Sequence, residues 1–229
     1  MFNIAAPTEK GELTRSAILG SALQLFRDKG FEATTMRDVA ARAKVALGAA
    51  YYYFGSKDAI VMGFYERAQE HLAPLLNQSL AGTKRLHDRL RAVIQVKFEY
   101  FAADRKLMGA LSAHIDPQHP LSPFSKETRS IREQDIDFFS RAVEGGNVRV
   151  PEDLKIHLPR ALWLYQMGLI LFWVYDSSPK QERTMKLLDK SLAMVVTLIK
   201  LSSFPLLRPV RKLAIDVLEL AYGETDNAV

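Results

Sequence analysis

No cysteine occurs among the 229 residues. Disulfides, thiolate nucleophiles and cysteine-ligated zinc are thereby excluded together, and a reducing, cytoplasmic setting is expected. Long apolar runs are missing as well. The longest, Leu162 to Tyr175, is interrupted by Gln166 and is short for a bilayer span, so no membrane partner is expected. The opening MFNIAAPTEKGEL lacks a basic segment followed by an apolar one, so no secretory signal is expected. The sequence also lacks HExxH, a phosphate loop and a dinucleotide fingerprint, which argues against an enzyme and against a cofactor. His114, Asp116 and His119 in HIDPQHP have the chemistry of metal ligands. Pro117, Pro120 and Pro123 and the want of a further ligand make an ordinary loop the better reading, with no metal.

What is there is helical periodicity, nearly end to end, and an all-α fold is expected. The first helix should run from about Thr14 to Lys29, with Ile18, Ala22, Leu25 and Phe26 on one face. Gly30 ends it, and Phe31 can fold back onto Phe26. Thr35 caps the second helix, with Asp38 completing a capping box. Lys44-Val45-Ala46 makes a turn, Leu47 to Tyr53 a third and very short helix, and Ser56 caps a long fourth one reaching about Leu80. Further helices are expected near 84–103, 105–114, 125–144, 153–175, 180–202 and 206–221, punctuated by the prolines above and by Gly145-Gly146.

The stretch AAYYYFGSK, residues 49–57, sets a problem. Successive helical side chains point about 100° apart, so four aromatics in a row cannot share one core. Two short helices joined by a brief turn behind a longer one describe a helix-turn-helix unit, whose second short helix enters the major groove of DNA. Ala50 and Phe54 then face inward, and Tyr51, Tyr52 and Tyr53 splay around the rest. A tyrosine ring suits a thymine methyl and its hydroxyl a phosphate oxygen. Between Lys10 and Lys57 eight basic residues stand against four acids, a balance suited to a polyanion within a chain of net charge +5.

From about Thr14 to Ile60 the sequence resembles the DNA-binding domain of the TetR/AcrR family of transcriptional regulators. ALQLFRDKGFEATTMRDVAARAKV followed by ALGAAYYYFGSKDAI carries the likeness, through Gly30-Phe31, the Thr-capped second helix and the Tyr-Tyr-x-Phe-x-x-Lys ending. The resemblance implies that Thr35 and Arg37 touch the DNA backbone, and that Gly48, Tyr51, Tyr52, Tyr53 and Lys57 contact DNA from helix three and the start of helix four. The sequence departs from the family pattern at four places. Lys44 replaces the usual turn glycine and puts a charge beside the groove; Ala46 replaces a Ser/Thr cap. Leu47 and Ala49 replace polar base readers, leaving methyl contacts, tyrosines and DNA shape to discriminate.

The rest of the chain offers two helices apolar on more than one side. In 153–175 the segment LPRALWLYQMGLILFWVYD is apolar almost all round; in 180–202 one stripe holds Met185, Leu188, Leu192, Val195, Val196 and Ile199, and another Leu187, Met194, Leu198 and Leu201. A homodimer built on a four-helix interface would use both, the first stripe being the expected contact and Gly168 allowing close approach. Effector-pocket candidates are Phe98, Phe101, Met108, His114, Phe138, Trp163, Gln166, Met167 and Trp173, a set that favours an apolar or aromatic small molecule. The expected organisation is a flexible start at 1–13, a helix-turn-helix head at 14–56, a helical effector-binding and dimerisation domain at 57–222, and a flexible tail at 223–229. The expected partners are double-stranded DNA with a palindromic operator, a small effector and a second copy of the chain. A helical ligand-binding dimer with weak or lost DNA binding is the alternative.

Overall fold

The computed structural model describes residues 8–222, and every regular element among them is helical. In chain order these are α1 (Glu9–Lys29), α2 (Met36–Arg42), α3 (Leu47–Tyr53), α4 (Lys57–Ala81), α5 (Leu86–Tyr100), α6 (Arg105–Leu111), α7 (Arg129–Glu144), α8 (Glu152–Lys155), α9 (Leu158–Tyr175), α10 (Glu182–Leu201) and α11 (Arg208–Tyr222). The expected flexible ends lie outside the described residues, except for 8–13. Thr8 caps α1 and the rest belong to it, so the helix starts at Glu9 rather than Thr14. The Thr8 hydroxyl accepts a hydrogen bond from the Gly11 N–H at 3.2 Å, and Glu9 and Glu12 sit in the first turn, where the positive helix end favours them. Apolar periodicity starts later than the helix and could not mark this boundary.

The chain divides into two compact units, Met1–Glu70 with Phe101–Arg129, and His71–Tyr100 with Ser130–Val229. The first is larger than a head confined to 14–56. Ile18, Leu23 and Phe26 of α1, Val39 of α2, Ala50 of α3 and Ile60 and Phe64 of α4 share one core with Leu107 and Leu111 of α6 and with Leu121. Arg27 on α1 reinforces that closure, its guanidinium donating to both carboxylate oxygens of the buried Asp104 at 2.7 and 2.9 Å. This bond holds the Arg27 pKa above its ordinary value. Three helices of this size bury little apolar surface, and α6 supplies the missing wall.

In the second unit α5 presents Leu86, Leu90, Val93, Ile94 and Phe98 inward at helical spacing. Phe98 stacks on Trp173 of α9 with ring centres 5.2 Å apart. The buried guanidinium of Arg89 donates to the carbonyls of Leu80, Thr83, Arg141 and Ala142. It therefore satisfies C-terminal carbonyls of α4 and α7 at once, groups a helix leaves without internal partners. Gly145 permits this, since a Cβ there would lie 2.3 Å from an Arg89 nitrogen. The corner between α9 and α10 is fixed by Asp176, whose carboxylate accepts from the Thr184 N–H and hydroxyl and from the Ser178 N–H.

The turn before α3 carries two local costs. Lys44 has φ 56, a left-handed conformation that disfavours any residue with a Cβ. Ala46 has the extended backbone of an N-cap but no side chain to cap with. Ala46→Ser is expected to raise stability by about 1 kcal/mol in urea unfolding. An unchanged midpoint would mean that the first N–H groups of α3 already have another partner.

Candidate nucleic-acid interface

The aromatic helix is only seven residues long, and of these Ala50 alone is fully buried. Phe54 follows it inward, while Tyr51 is 50% exposed and Tyr52 83% exposed. Tyr53 departs from the expected outward set. It is half-buried against the core of the head, its ring meets Tyr52 edge-on at 5.2 Å, and its hydroxyl lies beside Gly11 of α1. Helical directions alone could not tell which of three tyrosines would meet α1. The helix carries no charged residue, so nothing on it repels a polyanion.

Phe54 anchors the C-terminal end of α3. Its ring packs so closely on α4 that a Cβ at Gly63 would come within 2.9 Å of it, and the Arg15 guanidinium lies 5.0 Å over the same ring. The sequence offers no signal for Gly63, because a glycine inside a long helix reads equally well as neutral surface.

Lys57 is half-buried, and its ammonium donates to the backbone carbonyls of Phe31 at 2.8 Å and Glu32 at 3.3 Å. It also rests 4.5 Å above the Phe31 ring. Phe31 in turn meets Phe26 edge-on at 5.2 Å, as expected, after Gly30 turns the chain at φ 92. The lysine expected to reach outward thus binds the turn between α1 and α2. Nearby Arg42 is engaged by Asp28 and Gln24.

Thr35 and Asp38 form the expected capping box on α2. The Thr35 hydroxyl is thereby committed at 2.7 Å to the Asp38 carboxylate, although the residue is exposed. Arg37, Lys44 and Gly48 are exposed and Ala49 is partly exposed. Lys44 borders an open depression of about 520 Å³ lined by Ala17, Gly20, Ser21, Gln24, Arg42 and Ala43.

The effector candidates separate. Phe101 and Met108 pack against the core of the head, and His114 follows α6 with its ring stacked 3.9 Å from His119. Phe98, Phe138, Trp163, Gln166 and Trp173 are buried in the second unit, with Met167 half-buried. On α10 the stripes are reversed from expectation. Leu188, Leu192, Val196 and Ile199 are buried within the chain itself, with Met185 and Val195 half-buried. Leu187, Met194, Leu198 and Leu201 are exposed instead, as are Gly168, Leu171, Phe172 and Tyr175 on α9. Periodicity finds two stripes without ranking them, and packing of α10 on α5 and α9 selects which turns inward. Among the described residues no single helix is long and apolar enough to cross a membrane.

Residues 18–62 match the family described as bacterial regulatory proteins, tetR family, and residues 89–218, more than half of the chain, match the tetracyclin repressor-like C-terminal domain. The chain belongs to the TetR family. An HTH-type transcriptional repressor of Mycobacterium tuberculosis is 39% identical over 71 residues, 31% of this chain and 37% of that relative. The HTH-type transcriptional activator FasR of Mycolicibacterium smegmatis is 30% identical over 90 residues, 39% of this chain and 41% of that relative. These matches thus span well under half of the curated relatives' lengths. The fold is that of a putative TetR-family transcriptional regulator from Syntrophomonas wolfei, with TM-score 0.62 and 20% identity over 81% of this chain and 96% of that one. FadR of Bacillus subtilis, solved with stearoyl-CoA, gives TM-score 0.60 and 14% identity over 76% and 95%.

The capping box of this TetR-family head makes its stability depend on acid. Hydrogen bonds from Lys29 first, then from the Thr35 hydroxyl and N–H, hold the Asp38 carboxyl well below the usual carboxylate range. A carboxyl whose folded pKa is depressed stabilises fully above its unfolded pKa and loses that contribution as pH falls towards the folded value. Asp38→Asn should therefore lower stability near neutral pH and flatten the decline below about pH 4. Parallel acid limbs for both proteins in thermal unfolding would refute the assignment.

Proposed function

We propose that this TetR-family chain is a cytoplasmic, ligand-responsive transcriptional regulator that grips a palindromic DNA operator as a homodimer, and a repressor released by a small apolar or aromatic effector. The observation that carries DNA binding is the exposure of Tyr51 and Tyr52 on an uncharged helix whose neighbours bury Ala50 and Phe54. Aromatic side chains that large are exposed on a monomer at a cost, unless a partner covers them. Arg37, Lys44 and the backbone at Gly48 lie on the exposed parts of the same short elements, and Thr35 opens α2 beside them. In this reading Lys57 acts by holding the head together. The brace engages two of the ammonium's three hydrogens on the Phe31 and Glu32 carbonyls.

The exposed apolar rows of α9 and α10 support a twofold interface between copies of the chain. Two such helices from each protomer make a four-helix contact, and twofold pairing sets the spacing of two reading heads on DNA. Effector binding among the helices of the second unit would shift the population between DNA-competent and DNA-incompetent forms. A coupling of about 1–3 kcal/mol suffices. FadR of Thermus thermophilus, a repressor of the same fold solved with lauroyl-CoA, makes long-chain thioesters natural first compounds for release trials. The alternative, a ligand-binding dimer without useful DNA affinity, draws on the uncapped α3 and the engaged Lys57.

Two measurements test these readings. Duplexes selected from random DNA should bind with an affinity that falls at least about tenfold between 50 and 200 mM salt. Tyr52→Ala should weaken that binding roughly tenfold without lowering the unfolding midpoint, since the ring is exposed. Salt-independent binding, or none, leaves the alternative standing. For the interface, Met194→Glu combined with Leu198→Glu should turn a sedimenting dimer into a folded monomer; a persistent dimer would place the contact elsewhere.

A further inference from the structure

Every buried charge described in the second unit is answered. Lys97 lies 2.8 Å from Asp135, Arg89 is held by four carbonyls, and Asp176 by Thr184 and Ser178. The Lys97 ammonium has its ion pair though no hydrogen bond, whereas one buried side chain there has neither. Gln166 on α9 is 0% exposed, and neither its amide nitrogen nor its amide oxygen has a hydrogen-bond partner among the described residues. It shares the inward face of α9 with Leu162, Trp163, Leu169 and Trp173, and Trp173 stacks on Phe98.

A buried amide without partners loses hydrogen bonds to water and gains none in return. A leucine would fill the same space without that deficit. A state of the protein in which the amide is satisfied is therefore favoured by any molecule that brings the missing partners. We propose that Gln166 is the polar anchor of the effector site, taking an uncharged molecule with an apolar or aromatic body and one neutral oxygen function, a ketone, ester, thioester or hydroxyl. The amide N–H donates to a carbonyl or hydroxyl oxygen, and the amide oxygen accepts from a hydroxyl. A carboxylate is disfavoured at this point, because no unanswered positive charge stands in the interior to receive it. Trp163, Trp173 and Phe98 supply the apolar walls. The proposal rests on the effector-responsive reading above and specifies its chemistry.

The chain contains only two tryptophans, Trp163 and Trp173, and both lie on α9 near Gln166, so tryptophan emission reports on this interior alone. The probes are matched pairs, 2-nonanone against nonane and acetophenone against ethylbenzene, titrated into full-length wild type, Gln166→Leu and Gln166→Met. Comparing ratios between variants cancels the differing solubility of the probes. For at least one pair, the ketone-to-hydrocarbon affinity ratio should be about tenfold or more higher in wild type than in either variant. Both variants remove a polar group and should fold with unchanged or raised unfolding midpoints.

Equal ratios in all three proteins, or no binding of any probe to wild type, would overturn the site and leave Gln166 as a tolerated buried amide or a water partner. Duplex affinity, measured in the same samples, separates the two readings. Release of DNA by other compounds, with the ratios equal, sinks the Gln166 site alone. Gln166-dependent binding that leaves duplex affinity unmoved upholds the site and sinks the effector-response reading.

Discussion

The head is tied together at one point by a half-buried lysine that turns inward onto backbone. Lys57 opens α4, and its ammonium sits on the Phe31 ring while bonding the Phe31 and Glu32 carbonyls. Those atoms belong to the turn that leads into α2. The start of α4, the end of α1 and the entry to α2 are thus tied at one point, through a charge-assisted contact of the kind that strengthens as water is excluded. α3 packs on α2, and Phe54 at its C-terminal end packs against Gly63 of α4. A flexible presentation of Tyr51 and Tyr52 would cost ordering entropy at every binding event; this head has met that cost on folding.

Most of this was legible from local chemistry. Thr35 and Asp38 announce a helix start because their reciprocal bonds need only the backbone between them, and Gly30 announces a helix end for a similarly local reason. Ala50 and Phe54 could be placed inward because a very short helix has only one face to spare. Less legible were features set by distant partners. Nothing in the local pattern of Lys57 distinguishes an outward hand from an inward brace. The contribution of Leu107 and Leu111 to the head core depends on a segment far away in sequence. On α10 both stripes satisfy helical spacing, and only the competition for space against α5 decides between Leu188 and Leu187.

The second unit solves a different problem, that of ending several helices in an apolar surrounding. Arg89 does for α4 and α7 together what separate caps do elsewhere, and Gly145 makes room for it. Asp176 does the same service for the start of α10. Burial by itself would raise that carboxyl, but hydrogen bonds from Thr184 and Ser178 hold it below the usual carboxylate range. Against such thorough satisfaction the bare amide of Gln166 stands out as a local inconsistency, the kind that folded chains keep where something else is required of the position.

Within α4, Pro74 faces solvent. Its ring nitrogen has no hydrogen to give, so the carbonyl of Glu70 cannot receive the bond that the next turn would normally supply. The border between the two compact units falls at that same residue, between Glu70 and His71. Proline inside a helix is a recurrent cause of bending, because it removes a hydrogen bond and crowds the preceding turn. The lost rung is thus a property of α4 itself: its hydrogen-bond ladder is one bond short on the turn that ends at Pro74.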